Sequence, residues 1–530
     1  MKSKNNILYC AGLAALMTVS FTSCDDFLDE MPDNRTQIDT EDKVVRLITS
    51  AYPASTHVLV TECMSDNVDD MGPRYSAYTT RFFDEIYAWK DVTEDPNDSP
   101  RRFWQSCYNA IANANEALQA IEDMGGANTV TLKEAKAEAL LCRAYSHFLL
   151  TNVFCLNYNA ATSSTDLGIT YMTKPETTVN PEYSRGSVQT DYEMMDKDIE
   201  NALKDVGDTH LDVPKYHFNK LAAYAFAARF YLFYEKWDKA AKYASLCLGS
   251  SPKTMLRDWD EMESYGVTDD LQPRTNKYID ASDNSNLLLL TAASDVSLWN
   301  SNYFTYSKYT HGNYISSTED LKADNIWGSA GLVRCPALEF LGGTLDRVLV
   351  ARLPRLIEWA DQAEGIGVLR TVVPAFKSDL TLLERAEAYV MMREYDLAAA
   401  DLTTWMQNWT RSTVTLTPEK IVDYYKDMPF WQWDNPTFRK KLNPAFEIDE
   451  PGSVQECMLQ CVLNFKRIET SYEGMRWFDV KRYGITVYRR TMNDSGEPKE
   501  VTDSLPANDL RRAIQLPSMV IQAGVEANPR

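Results

Sequence analysis

Apolar positions recur at helical spacing in four blocks of the chain, at roughly 102–123, 132–154, 218–248 and 378–409. Two of the blocks share a register. Counted from Ala228, Tyr231 stands at +3, Trp237-Asp238 at +9 and +10, and Ala240-Ala241 at +12 and +13; counted from Ala386, the same offsets hold Tyr389, Tyr395-Asp396 and Ala398-Ala399. Small residues so placed let two antiparallel helices approach closely, with the tyrosine filling the groove beside them and the Lys236-Trp237-Asp238 corner making the turn. Residues 102–154 add two further helices. One helix pair cannot bury its own faces, so about four pairs, some degenerate, are expected to form the scaffold. Residues 157–185 and 250–375 are instead rich in Ser, Thr, Asn, Asp, Gly and Pro, with short apolar runs such as Leu287-Leu288-Leu289-Leu290. That pattern predicts loops and a few short strands.

The repeated unit resembles the tetratricopeptide repeat. Pro252 falls where that family stops its second helix, and Cys247 stands where it commonly has Ala. The expected fold class is therefore mainly α, a tetratricopeptide-like helix-pair scaffold with long loop and short-strand insertions.

The first residues set the compartment. Lys2 and Lys4 precede an apolar stretch from Ile7 to Val19, too short to span a bilayer but long enough for the apolar region of a secretory signal. It closes on Phe21-Thr22-Ser23-Cys24, which resembles the box where bacterial lipoprotein signal peptidase cuts, with Phe21 in place of the usual aliphatic residue. Cys24 would then carry the acyl chains, and at about 0.8 kcal/mol per buried methylene two or three chains anchor a protein to a membrane. Asp25-Asp26-Phe27-Leu28-Asp29-Glu30 follows, an acidic leader resembling the surface-export signal of lipoproteins in the Bacteroidetes. The expected organisation is a signal peptide at 1–23, a lipidated cysteine and acidic tether at 24–40, and one integrated domain made of an N-terminal helical part, 41–250, and a C-terminal part, 251–530.

With 44% hydrophobic residues the chain can bury a large core, and a formal charge of −22 repels nucleic acid. Of ten cysteines, Cys10 belongs to the signal and Cys24 to the anchor. Cys142, Cys247, Cys457 and Cys461 sit on apolar helical patterns, so mostly free, buried thiols are expected. Cys457 and Cys461 lack nearby histidines, and no metal or other cofactor is expected. The five histidines fall in no H-E-x-x-H, and there is no G-x-S-x-G, Walker loop or G-x-G-x-x-G. The expectation is a protein that is not an enzyme. A glycosidase carboxylate pair, which converges only in space, is the chemistry that motif absence leaves open.

The segment from Phe465 to Gly484 reads FKRIETSYEGMRWFDVKRYG. It resembles the C-terminal signature of the SusD/RagB family of outer-membrane nutrient-binding lipoproteins: Arg467, Glu469, Glu473, Gly474, Arg476, Trp477, Asp479 and Arg482 match, while Phe465 and Thr470 depart from the Glu and Leu usual there. The Glu138 to Tyr145 helix, the two repeats, Gln515-Leu516-Pro517 and Asn528-Pro529 follow in the family's order. Physically, Arg476 is three residues from Glu473 and is expected to reach back to it across one helix turn, Gly474 to admit another element closely, and Trp477 to be a buried anchor. This charged constellation reads as fold-stabilising rather than catalytic.

The resemblance implies a cell-surface lipoprotein that binds an oligosaccharide and delivers it to a SusC-type TonB-dependent outer-membrane transporter. Seven aromatic rings fall within residues 299–327. Rings on loops suit sugars, whose C–H faces pack on them while polar neighbours bond the hydroxyls. By analogy with the family, the expected ligand residues are Trp299, Tyr303, Tyr306 and Trp327 from this insertion, with Tyr75, Tyr78, Arg81 and Trp89 from an earlier loop. A second cluster, Phe430, Trp431, Trp433 and Phe438, is read as packing. The alternatives are an oligopeptide-binding lipoprotein of the same transport system, or a repeat scaffold of the envelope that binds no nutrient.

Overall fold

The computed structural model describes residues 38–72, 80–178, 181–266, 271–299, 308–342 and 345–530. Residues 1–40 and 41–530 form separate units, and the described helices and strands belong to the second.

Several of these helices begin where the sequence supplies a cap. Ser99 accepts the Arg102 N–H at 3.2 Å ahead of Pro100, Thr129 accepts that of Leu132 at 3.1 Å, and Asn219 those of Leu221 and Ala222 at 3.0 Å. After α1 (Glu41–Ile48), α2 (Val58–Met64), strand β1 (Asp69–Asp70) and α3 (Arg81–Tyr87), the long helices α4 (Pro100–Asp123) and α5 (Val130–Phe154) pack as a pair, and α6 (Val188–Ala202) packs on α5. From Ala137 to Phe154 every residue of α5 is buried, because the helix is covered on all sides.

The two repeats are α7 (Lys220–Phe233) with α8 (Trp237–Leu248), and α9 (Ser378–Met391) with α10 (Tyr395–Trp409). Ala228, Ala240, Ala386 and Ala398 are buried at the close approaches, and α9 also packs on α8, so the repeats stack on each other. The shared register extends to the turns. Glu235 and Arg393, each seven residues after its reference alanine, adopt positive φ (59° and 63°), and the next N–H closes back on Tyr231 O (2.9 Å) and Tyr389 O (2.8 Å). Both turns are therefore left-handed helix caps. Tyr231 stacks on Tyr243 at 5.5 Å, filling the groove as its spacing implies.

Residues 250–375 hold the insertions. The leucine run lies in β2 (Asn286–Ala293), which pairs antiparallel with β7 (Ile366–Lys377), itself paired with β6 (Leu356–Asp361). β4 (Leu338–Gly342) and β5 (Leu345–Leu349) pair antiparallel. β3 (Tyr309–Thr310), β1, β8 (Val487–Met492) and β9 (Pro498–Leu505) form a four-stranded sheet in that order. Helix α11 (Pro418–Tyr425) packs on α12 (Val454–Glu469), and α13 (Arg476–Arg482) follows the signature turn. The eight cysteines among the described residues are free and buried.

The signature residues behave as a structural network. Gly474 has φ +73°, and a Cβ there would stand 2.3 Å from Thr61 Oγ1 and 2.9 Å from Val58 Cα, so the glycine admits α2, as expected. Trp477 is fully buried. The expected pairing of Arg476 with Glu473 is not formed: α12 ends at Glu469, positive φ at Tyr472 and Gly474 turns the chain, and the two residues never share a helix face. Arg476 instead grips Asp66 bidentately at 2.7 and 2.9 Å, while Glu473 meets Lys377 at 2.7 Å, where Glu469 also lies at 2.8 Å. Lys466 and Arg482 both bind Glu387 at 2.8 Å. Burial pushes the Glu387 carboxyl up, but these two cations outweigh it and hold it down to about 2.

Candidate functional site

The two segments that supply four of the eight expected ligand residues flank one strand pair. β1 and β3 pair antiparallel, Asp70 opposite Tyr309, and the Met71 N–H donates to Lys308 O at 2.8 Å. The chain therefore leaves toward residues 73–79 at the same end of this pair from which it returns out of residues 300–307. Tyr75, Tyr78, Tyr303 and Tyr306 fall in those segments and lie outside the described residues, as does Cys24. Arg81 opens α3 directly after the first segment and is exposed.

Charged groups surround this mouth. Lys308 Nζ lies 3.6 Å from Asp70 and 3.5 Å from Asp84, and the Tyr309 hydroxyl donates to Asp84 at 2.5 Å. Burial pushes the Asp70 carboxyl up against the Gly72 N–H and Lys308, which pull it down; the net direction is up. Tyr309 stacks on Tyr87 at 4.2 Å, fixing β3 against α3. Sequence reasoning did not select Lys308, Tyr309 or Asp84. Tyr309 belonged to the aromatic run, but nothing local to it distinguishes a ring fixed beside α3 from its neighbours.

The three tryptophans need correction: Trp89, Trp299 and Trp327 are 2%, 3% and 2% exposed and offer no open face to a ligand. Trp89 has φ 53°, which a bulky residue adopts only when its surroundings hold it there. Its indole N–H donates to Met64 O at 3.0 Å, and guanidiniums of Arg489 and Arg511 lie 4.1 and 5.5 Å from its ring. The Trp299 N–H donates to Tyr309 O at 3.2 Å, and the ring packs 5.4 Å from Tyr472. Trp327 packs 5.7 Å from Phe465. Trp299 thus backs β3, while Trp89 and Trp327 are held within the packed interior. In the second cluster all four rings are half-buried, and Trp431 lies under Lys440 at 4.0 Å and beside Tyr488 of β8 at 5.5 Å.

Among the described residues no group of three or more His, Cys, Asp or Glu side chains is arranged to hold a metal ion, and no helix is long and apolar enough to cross a membrane.

Comparison with known proteins agrees with this architecture. Residues 26–232 match the SusD-like family model, described as starch-binding associating with outer membrane. A SusD superfamily protein from Bacteroides thetaiotaomicron has the same fold, with 17% identity over 93% of this chain and 100% of its own and a TM-score of 0.63. A putative sugar binding protein from Bacteroides vulgatus matches with 18% identity over 93% of this chain and 99% of its own, TM-score 0.64, and a SusD-like carbohydrate binding protein from the same organism with 14% identity over 92% and 97%, TM-score 0.60. No curated protein matches the chain. The family match spans the N-terminal part of the chain, and the fold of these solved structures is shared over nearly all of it.

Proposed function

We propose that this chain is a lipid-anchored outer-membrane protein, exposed at the cell surface, that captures a glycan and passes it to a SusC-type TonB-dependent transporter without carrying out chemistry on it. Cys24 supplies the anchor and the acidic leader directs export. The observation carrying the ligand reading is that two aromatic-rich segments, separated by more than two hundred residues, emerge from the same end of the β1–β3 pair beside exposed Arg81. Rings from both segments would pack on the C–H faces of sugar residues while Arg81 and the Asp70, Asp84 and Lys308 side chains bond hydroxyls. The carbohydrate-binding descriptions of the family model and of two proteins sharing the fold support the same ligand class.

Native affinity electrophoresis against plant, host and microbial polysaccharides tests this. One polysaccharide should retard the protein, and Tyr303→Ala with Tyr306→Ala should weaken that retardation by about tenfold, the loss of roughly 0.5–1.5 kcal/mol per stacked ring. Retardation by none of them, or retardation unaffected by the two substitutions, refutes a glycan site at this mouth. Binding of oligopeptides in its place would establish the alternative ligand.

A further inference from the structure

Between α4, the loop at 49–55, the turn at Pro214–His217 and strand β2 lies an open cleft of about 730 Å³, within the size range of small-ligand sites. None of the residues at the β1–β3 mouth lines it. Gln105, Asn109 and Asn113 stand four residues apart on α4 and so share one face of it; Tyr52, Tyr216 and Thr291 line the cleft from other elements.

The chemistry of this lining is unusual for the chain. Among the described residues no acidic side chain contributes a carboxylate to the cleft wall. Its two guanidiniums are already engaged: Arg102 lies 3.6 Å from Asp95 and donates to its carbonyl at 3.3 Å, and Arg370 is held by Glu358 at 2.6 Å. A cation would meet no carboxylate in the wall, and an anion would compete with carboxylates already in place. The groups left without a partner are neutral. The amide of Asn109, the hydroxyl of Tyr216 and the hydroxyl of Thr291 make no hydrogen bond among the described residues, and they sit on three different elements around one space. Amides and hydroxyls both donate and accept, as sugar hydroxyls do.

The wall is also held in place from behind. The Tyr52 hydroxyl donates to Glu138 at 2.6 Å and accepts the Phe218 N–H at 2.7 Å, and its ring stacks on Phe218 at 5.9 Å. His217 Nδ1 bonds the same carboxylate at 2.7 Å. Ser106 Oγ accepts the N–H groups of Ala54 and Ser55 at 2.6 and 3.0 Å, and Asn113 donates to Ser50 O at 2.8 Å, which ties the loop to α4. A site fixed in this way loses little conformational freedom on binding.

We infer that this cleft is a second saccharide site, selective for a neutral oligosaccharide lying along α4 between Asn109 and Tyr216. The inference rests on the glycan reading of the protein and adds a site separate from the mouth.

The test is calorimetric titration of the full chain with neutral hexasaccharides of α-glucose, β-xylose and β-mannose, with a galacturonate hexasaccharide as the anionic arm. Three proteins are compared: wild type, Asn109→Ala/Tyr216→Phe, and Tyr303→Ala/Tyr306→Ala. At least one neutral hexasaccharide should bind wild type at two sites per chain. The cleft variant should keep one site and lose about tenfold or more in affinity at the other, with an unchanged melting temperature because neither side chain has a hydrogen-bond partner to lose among the described residues. Two sites retained in the cleft variant, preference of the cleft for galacturonate, or binding of none of the neutral sugars overturns the inference. The loop variant separates the readings: if it abolishes all binding while the cleft variant changes nothing, the mouth stands and the cleft fails; if it changes nothing while the cleft variant loses a site, the cleft stands and the mouth fails.

Discussion

Gly474→Ala should destabilise the protein by about 2–4 kcal/mol, from backbone strain and overpacking together. The residue has φ +73°, and a side chain in the left-handed region costs about 1 kcal/mol. The new Cβ would stand 2.3 Å from Thr61 Oγ1 and 2.9 Å from the Cα and O of Val58. Two of these atoms are helix backbone. The third is a fully buried hydroxyl bonded to His57 O at 3.1 Å, with no room to swing aside. On the other side, Glu62 takes the N–H groups of Tyr472 and Gly474 at 3.0 and 2.9 Å, so the turn cannot back away without breaking contacts to a buried carboxylate. Overpacking of this kind costs about 1–3 kcal/mol. At about 2.1 cal/mol/K per residue over residues 41–530, the unfolding entropy is about 1 kcal/mol/K, so differential scanning calorimetry should record a fall of about 2–4 °C. Gly266→Ala is the control: its φ is +60° with no atom within 4 Å of the added Cβ, so it should fall by only about 1 °C. Equal shifts in the two variants would show that close approach of α2 is not what the signature glycine serves.

Lys377→Met leaves Glu469 and Glu473 facing each other in the interior without their shared cation, and should lower stability by about 3–5 kcal/mol in calorimetry, with partial recovery when Glu473→Gln is added; no recovery would disprove the charge argument. His210 bridges Glu134 at 3.1 Å and Glu138 at 2.8 Å, and although burial lowers its pKa, these carboxylates outweigh burial and raise it. A raised folded pKa gives stability that is full below the unfolded value near 6.5 and is lost as pH rises through the folded value. The urea-midpoint difference between wild type and His210→Asn should therefore shrink steadily above about pH 6.5, and a gap that widens would reverse the assignment. Cys24→Ala should move the protein from the detergent to the aqueous phase of a Triton X-114 partition; persistence in the detergent phase would refute lipid anchoring at this residue. Asp25→Ala/Asp26→Ala should protect the protein from proteinase K added to intact cells, and unchanged digestion would refute the export role of the acidic leader.

Local periodicity and residue size carried much of the architecture in the sequence. The four helical blocks, the common register of the repeats, the buried thiols and the glycine that admits α2 each follow from spacing along a few turns of chain, where 3.6-residue geometry places side chains without reference to the rest of the molecule. Even the left-handed turns at Glu235 and Arg393 fall at equivalent repeat positions. Partner choice did not follow from spacing. Arg476 and Glu473 are three residues apart, yet a turn at positive φ separates them and each finds its charge elsewhere, at Asp66 and Lys377. The tryptophans look alike in sequence whether they face solvent or a buried guanidinium, and only the packing of Arg489, Tyr472 and Phe465 around them made three of them core rather than platform. The pairing of β1 with β3, and the cleft formed by α4, β2 and the Tyr52 loop, depend on strand and helix pairings between segments distant along the chain. Those pairings are selected by the burial of the whole core at once, a property of the assembled fold that no local window contains.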